Sequence, residues 1–193
     1  MITMSKIFNY GIDQLTVEKT IAIAAGRMKA VLNDQAIKKI KISQQHVQQI
    51  VKDNKTVYGV NTGFGILANT PISEEDTATL QYKILQSHSV GVGDPIPAEV
   101  AKIMMITKVH ALAQGFSGVQ LSTLERIIWH IENKVIPVVP EKGSVGASGD
   151  LAPLAHLFLP LIGLGKVFAT DEHSKTQINS IEVLKKNDLE PIQ

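Results

Sequence analysis

Three features of the sequence predict a mainly α-helical fold. Helix-starting signals recur, most clearly Ser73 ahead of Glu74, Glu75 and Asp76, and Ser122 three residues before Glu125. Long apolar stretches lack the alternation of a half-buried strand; between Ile103 and Leu124 the only formal charge is Lys108. Candidate strands are few and short, namely KIKIS (39–43) and GKVFAT (165–170).

Taken in order, residues 14–32 (LTVEKTIAIAAGRMKAVLN) open the chain as a helical or mixed segment. KIKIS alternates charged and apolar residues as a short strand does, and SQQHVQQIVK (43–52) reads as a helix with Val47, Ile50 and Val51 on one face. A Gly-rich loop follows over 56–71, TVYGVNTGFGILANTP. Ser73 then caps a helix whose acidic first turn sits at the positive end of the dipole, and which runs to about Ser89 before Gly91-Val92-Gly93 break it. Pro95 and Pro97 introduce a helix over 98–114 that stops at Gly115. Ser122 and Glu125 form a capping-box pattern for the next helix, which carries Ile127, Ile128 and Ile131 and ends near Asn133 and Pro137. The nearly uncharged run 103–124 reads as a helix buried on all sides, by a large core or by an oligomer interface. A second small-residue loop, EKGSVGASGD (141–150), leads into the apolar LAPLAHLFLPLIGLG (151–165). From Asp171 onward the sequence is polar and ends without any closing signal.

Composition narrows the function. The chain has 193 residues, enough for one domain or a little more, with 19 Lys+Arg against 18 Asp+Glu. That balance gives no electrostatic reason for nucleic acid or an anionic membrane as partner. With no cysteine, disulfides, thiolate metal sites and thiol nucleophiles are excluded, and no metal site is expected. The composition fits a cytoplasmic protein. MITMSKIFNYGIDQ has no apolar h-region, and 151–165 is shorter than the ~20 residues of a membrane span and holds Pro153, Pro160 and His156.

The glycine-rich segments fail three familiar tests. Gly59, Gly63 and Gly65 lack the dinucleotide-binding spacing, and Gly165-Lys166 is followed by Val167 where a phosphate loop needs Ser or Thr. Gly146-Ala147-Ser148-Gly149-Asp150 places Asp where a nucleophile elbow needs its last glycine. Ala147-Ser148-Gly149 has a chemistry of its own. Gly149 lacks a Cβ, so its nitrogen can approach the Ala147 carbonyl carbon. Attack with loss of water closes a five-membered imidazolone; loss of a second water from Ser148 leaves an exocyclic methylidene carbon, an electrophile made without external cofactor. An ordinary tight turn of small residues is the plainer reading on composition alone.

The neighbouring residues favour the chemical reading. GSVGASGDLAPLAH (143–156) resembles the signature of the aromatic amino-acid ammonia-lyase family, in which Ala-Ser-Gly becomes a methylidene-imidazolone. YGVNTGFG (58–65), SHSVGVGDP (87–95) and ALAQGFSGV (111–119) resemble further family motifs in the family's order. The resemblance implies the helical amino-terminal portion of an ammonia-lyase fold, residues 1–193 being one segment of a longer enzyme, with 56–71 as lid loop and 141–150 as electrophile-forming loop. It implies elimination of ammonia from an amino acid, with Ala147, Ser148 and Gly149 as the electrophile and Tyr58 as general base. A phenol is a weak acid, so such a base needs a site that stabilises its phenolate. Gly65 and Asp150 are candidate supports, the first as a lid glycine and the second in ring formation.

His88 is the candidate substrate-binding residue. Ser87-His88 resembles the histidine-acting branch, which implies L-histidine as substrate and urocanate as product. Some tyrosine-acting relatives also carry Ser-His, so tyrosine or phenylalanine lyases and aminomutases remain alternatives, as does a non-catalytic fragment. Gln120 departs from the basic residue that often follows SGV in the family. Family members are far longer and act as homotetramers in which several subunits build each site.

Overall fold

Three helices begin where the sequence supplies a capping side chain. Thr16 Oγ1 accepts the Lys19 N–H at 3.3 Å and starts α1 (Val17–Ala24). Asn33 Oδ1 accepts the Ala36 N–H at 2.9 Å and starts α2 (Asp34–Lys52). Ser73 Oγ accepts the Asp76 N–H at 3.1 Å and starts α3 (Glu74–His88), as its sequence predicts. These elements come from a computed structural model that describes residues 7–53, 55–63, 69–70, 72–171 and 174–192.

The remaining elements are β1 (Phe8–Asn9), β2 (Ala30–Val31), β3 (Val92–Pro95), α4 (Ala98–Leu112), α5 (Leu121–Glu132), β4 (Ile136–Pro137) and β5 (Pro140–Lys142). A 3₁₀ turn at Gly146–Ser148, α6 (Leu151–Phe158), a second 3₁₀ turn at Leu159–Ile162, β6 (Lys166–Asp171), β7 (Ser174–Asn179) and α7 (Ser180–Lys186) follow. β1 pairs in parallel with β2, β3 antiparallel with β5, and β4, β6 and β7 form an antiparallel sheet. The class is mainly α, as the sequence predicts.

Three sequence expectations need correction. KIKIS is part of α2 and not a strand: Asn33 caps a helix ahead of it, and Ala36 and Ile40, four residues apart, are both buried. The Ser122–Glu125 capping box does not form; α5 starts at Leu121 with Gln120 at its N-cap, which makes no side-chain cap bond. That start lets Leu121 and Leu124 join the core, and burying apolar side chains outweighs a cap of about 1 kcal/mol. The stretch 103–124 is not one fully buried helix. The break at Gly115 is as expected, but burial is one-sided: α4 buries Ala101, Met105, Ile106 and Val109 while Thr107 and Ala111 are exposed. The polar stretch after Asp171, which carries no closing signal in its sequence, holds β7 and α7. β7 pairs along the whole of β6, from Lys166↔Asn179 to Asp171↔Ser174, and α7 buries Val183 and Leu184.

α4 is the hub of the core. It packs against α1, α5 and β4, and Met105, Ile106 and Val109 meet Phe8, Ile40, Leu124, Ile127 and Leu157 in one apolar cluster. A smaller cluster of Val135, Val167 and Val183 lies under the β4–β6–β7 sheet. α3 packs against α6, and β5 also touches α6; these two contacts position the candidate site.

Candidate active site

The triplet Ala147-Ser148-Gly149 lies in the loop between β5 and α6. Its backbone forms a 3₁₀ turn, closed by the Gly149 N–H donating to the Gly146 carbonyl at 3.1 Å. Gly149 and Asp150 then both adopt left-handed backbone, at φ 80° and 57°. Glycine does so freely, and Asp is among the few other residues that tolerate it. Asp150 stands at the N-cap of α6 without capping it; its carboxylate instead accepts a hydrogen bond from Ser144 Oγ. That bond brackets the triplet from both sides. The bend puts the Gly149 nitrogen and the Ala147 carbonyl on one short turn, with only small side chains flanking Ser148, so these residues fit the imidazolone. The turn is exposed, and a Cβ added at Gly146 or Gly149 would meet nothing within 4 Å.

His88 closes α3. Its Nδ1 lies 2.9 Å from the Ile84 carbonyl oxygen and 3.0 Å from Ser87 Oγ. A carbonyl only accepts, so the ring donates from Nδ1; in the neutral tautomer with that proton, Nε2 is the acceptor. The ring is half-buried. Because α3 packs on α6, His88 and the triplet sit on neighbouring elements.

Tyr58 sits on a separate turn and is 62% exposed. The turn is fixed from beneath by Asn61, a buried residue whose Oδ1 accepts the Val57 N–H at 2.9 Å and whose Nδ2 donates to the Lys55 carbonyl at 2.8 Å. The Ile72 N–H donates to the Asn61 carbonyl at 2.9 Å, drawing the far end of the loop back to its start. Gly65 and part of the lid loop lie outside the described residues, and of Ser148 only the backbone is described.

Beside the triplet, Gly149, Asp150 and Leu154 meet Met104, Thr107, Lys108 and Ala111 of α4 around an open depression of about 360 Å³. Lys108, the only formal charge in the stretch 103–124, therefore stands next to the triplet loop. Among the described residues no group of three or more His, Cys, Asp or Glu is arranged to hold a metal ion, and no helix is long and apolar enough to cross a membrane.

Three residues escaped the sequence reading. Asn61 was visible only as an Asn-Thr-Gly turn signal. Ser144 had no signal beyond its place before the triplet. His156, read as part of the signature helix, accepts the Gly91 N–H on Nε2 at 3.0 Å across 65 residues of sequence.

Residues 15–193 match the family described as aromatic amino acid lyase. A histidine ammonia-lyase from Streptococcus pyogenes serotype M3 is 43% identical over 169 residues, covering 88% of this chain and 33% of the relative. One from Caldanaerobacter subterraneus is 48% identical over 160 residues, covering 83% of this chain and 32% of the relative. The chain thus spans about a third of the length of these curated relatives. The crystal structure of histidine ammonia-lyase from Trypanosoma cruzi superposes with a TM-score of 0.85 at 32% identity, over 97% of this chain and 36% of that one. Tyrosine aminomutase from Streptomyces globisporus gives 0.87 at 29% identity, over 98% and 34%. With a family match over most of its length and the same fold in solved relatives, the chain belongs to the aromatic amino acid lyase family.

Proposed function

We propose that this chain is the electrophile-bearing segment of an ammonia-lyase that eliminates ammonia from L-histidine to give urocanate. The observation that carries the reading is the Ala147-Ser148-Gly149 turn, held between Ser144 and Asp150 and backed by the helix against which the His88 helix packs. The methylidene-imidazolone formed from that triplet supplies an electrophile to which the substrate bonds, dividing one hard elimination into easier steps.

The chain's own residues have separate tasks. Tyr58 takes the β-proton, from a turn that Asn61 keeps in place. Asp150 supports the triplet backbone. His88, with Nδ1 held by Ile84, offers Nε2 as an acceptor for the N–H of a substrate imidazole. A tyrosine phenol can also donate to such an acceptor, whereas phenylalanine has no donor. Turnover therefore falls in the order histidine, tyrosine, phenylalanine. The tyrosine reading retains the support of Ser87-His88 and of the aminomutase superposition.

The activity belongs to the complete lyase, which as a homotetramer in the cytoplasm draws further site residues from outside this segment. The 193-residue chain alone is catalytically silent, because its triplet loop is exposed with open space beside Gly146 and Gly149, whereas ring closure needs a strained turn held by surrounding packing. Assaying the complete lyase on the three amino acids tests the substrate. Preference for L-histidine is expected, and preference for L-tyrosine would overturn the assignment.

A further inference from the structure

We infer that His156 is a positioning residue that fixes the His88 segment relative to the electrophile loop. This rests on the proposed lyase reading and adds to it a residue that acts through the Gly91 backbone. Helix α6 begins directly after the triplet. His156 stands near the end of α6, one helical turn beyond Ala152 and on the same face. Its Nε2 accepts the Gly91 N–H at 3.0 Å, and Gly91 is three residues beyond His88. One hydrogen bond therefore ties the two sequence segments that carry the chemistry.

The packing around that bond leaves little slack. A Cβ on Gly91 would lie 3.0 Å from the Lys142 carbonyl and 3.2 Å from the His156 ring. A Cβ on Gly143 would lie 2.9 Å from Gly91 Cα and 3.5 Å from Ala152 Cβ. The strand pair β3–β5 and helix α6 thus close on one another with two glycines and an alanine between them, and the imidazole adds a side-chain hydrogen bond between these segments. A backbone N–H can only donate, so Nε2 carries no proton and the ring holds its proton on Nδ1. Burial depresses the pKa of His156, which favours that neutral acceptor form.

The geometry dictates which replacement works. Glutamine reaches about as far as imidazole Nε2 and offers an amide oxygen as acceptor; leucine fills similar space and offers none. Three versions of the complete lyase are compared on L-histidine: wild type, His156→Gln and His156→Leu. The leucine variant is expected to lose about 10–100-fold in kcat/KM, as when other residues that orient a functional group are removed. Its triplet peptide should remain short by two waters, and the glutamine variant should recover most of the loss. Equal activity in all three versions overturns the inference, and so does an equal loss in both variants. A wild type that turns over no amino acid refutes the lyase reading instead, leaving His156 to be judged by spectroscopy. For that, ¹⁵N NMR of the 193-residue chain reads the ring directly. The Nδ1–H form of His156, with a coupling from the Gly91 amide to Nε2, is expected; an Nε2–H form contradicts the inference even where the leucine variant fails to fold.

Discussion

At the scale of single residues, some side chains are proposed to act on substrate and others hold the fold around them. Tyr58→Phe removes the proposed base while leaving the turn that Asn61 secures. In the complete lyase it is expected to lower turnover by ~10²–10⁴-fold with the triplet still short by two waters. Near-normal turnover would assign proton abstraction elsewhere. His130 shows the second kind of residue. It is 1% exposed, its Nδ1 donates to the Val135 carbonyl at 2.9 Å, and its Nε2 has no partner among the described residues. Burial is the main cause that pushes its pKa down to about 4, with Arg126 adding to the effect and the Val135 bond opposing it. The folded chain therefore keeps this ring neutral, while the unfolded chain takes up a proton below the ordinary value of 6.5. Stability from this group is complete above pH ~6.5 and is lost as the pH falls toward ~4, by roughly 3 kcal/mol in all. Denaturation midpoints measured from pH 7 to 4 should fall more steeply for wild type than for His130→Met. Parallel profiles would contradict the burial argument.

At the scale of elements, capping separates what the sequence made legible from what it hid. Ser73 was readable because one side chain bonds one backbone N–H three residues on, a purely local event. Ser122 looked equivalent, but Leu121 packs against the core and draws the helix start back past it, so tertiary burial decided the boundary. The same distinction yields a test. Ser73→Ala should cost about 1 kcal/mol in chemical denaturation, whereas Ser122→Ala should stay within about 0.5 kcal/mol. Equal losses would restore the capping box. KIKIS misled because its alternation covers only five residues, too few to distinguish period 2 from the Ala36–Ile40 spacing that is buried. β7 was hidden for another reason: its partners are the residues of β6, and only Ile178 opposite Val167 gives an apolar pair, so little in SKTQIN announces a strand. In the candidate site, the triplet, Tyr58 and His88 were legible from motifs. The bonds supporting them, Asn61 to Val57, Ser144 to Asp150 and His156 to Gly91, were not, because each depends on where the chain folds back.

At the scale of the molecule, the chain builds a helical core around α4 and presents the triplet loop on its surface. The spread of exposed apolar side chains near that loop, with Val90 67%, Val92 64%, Val145 59% and Leu151 47% exposed, fits a site completed by further protein. The central claim is that Ala147, Ser148 and Gly149 become the electrophile within that complete site. Peptide mass analysis of the complete lyase tests it most directly. The account predicts that the peptide spanning residues 143–156 is lighter than its sequence by two waters, that the difference maps to the triplet, and that Ser148→Ala prevents loss of the second water. A peptide of unaltered mass from an enzyme that actively releases ammonia from L-histidine would contradict it.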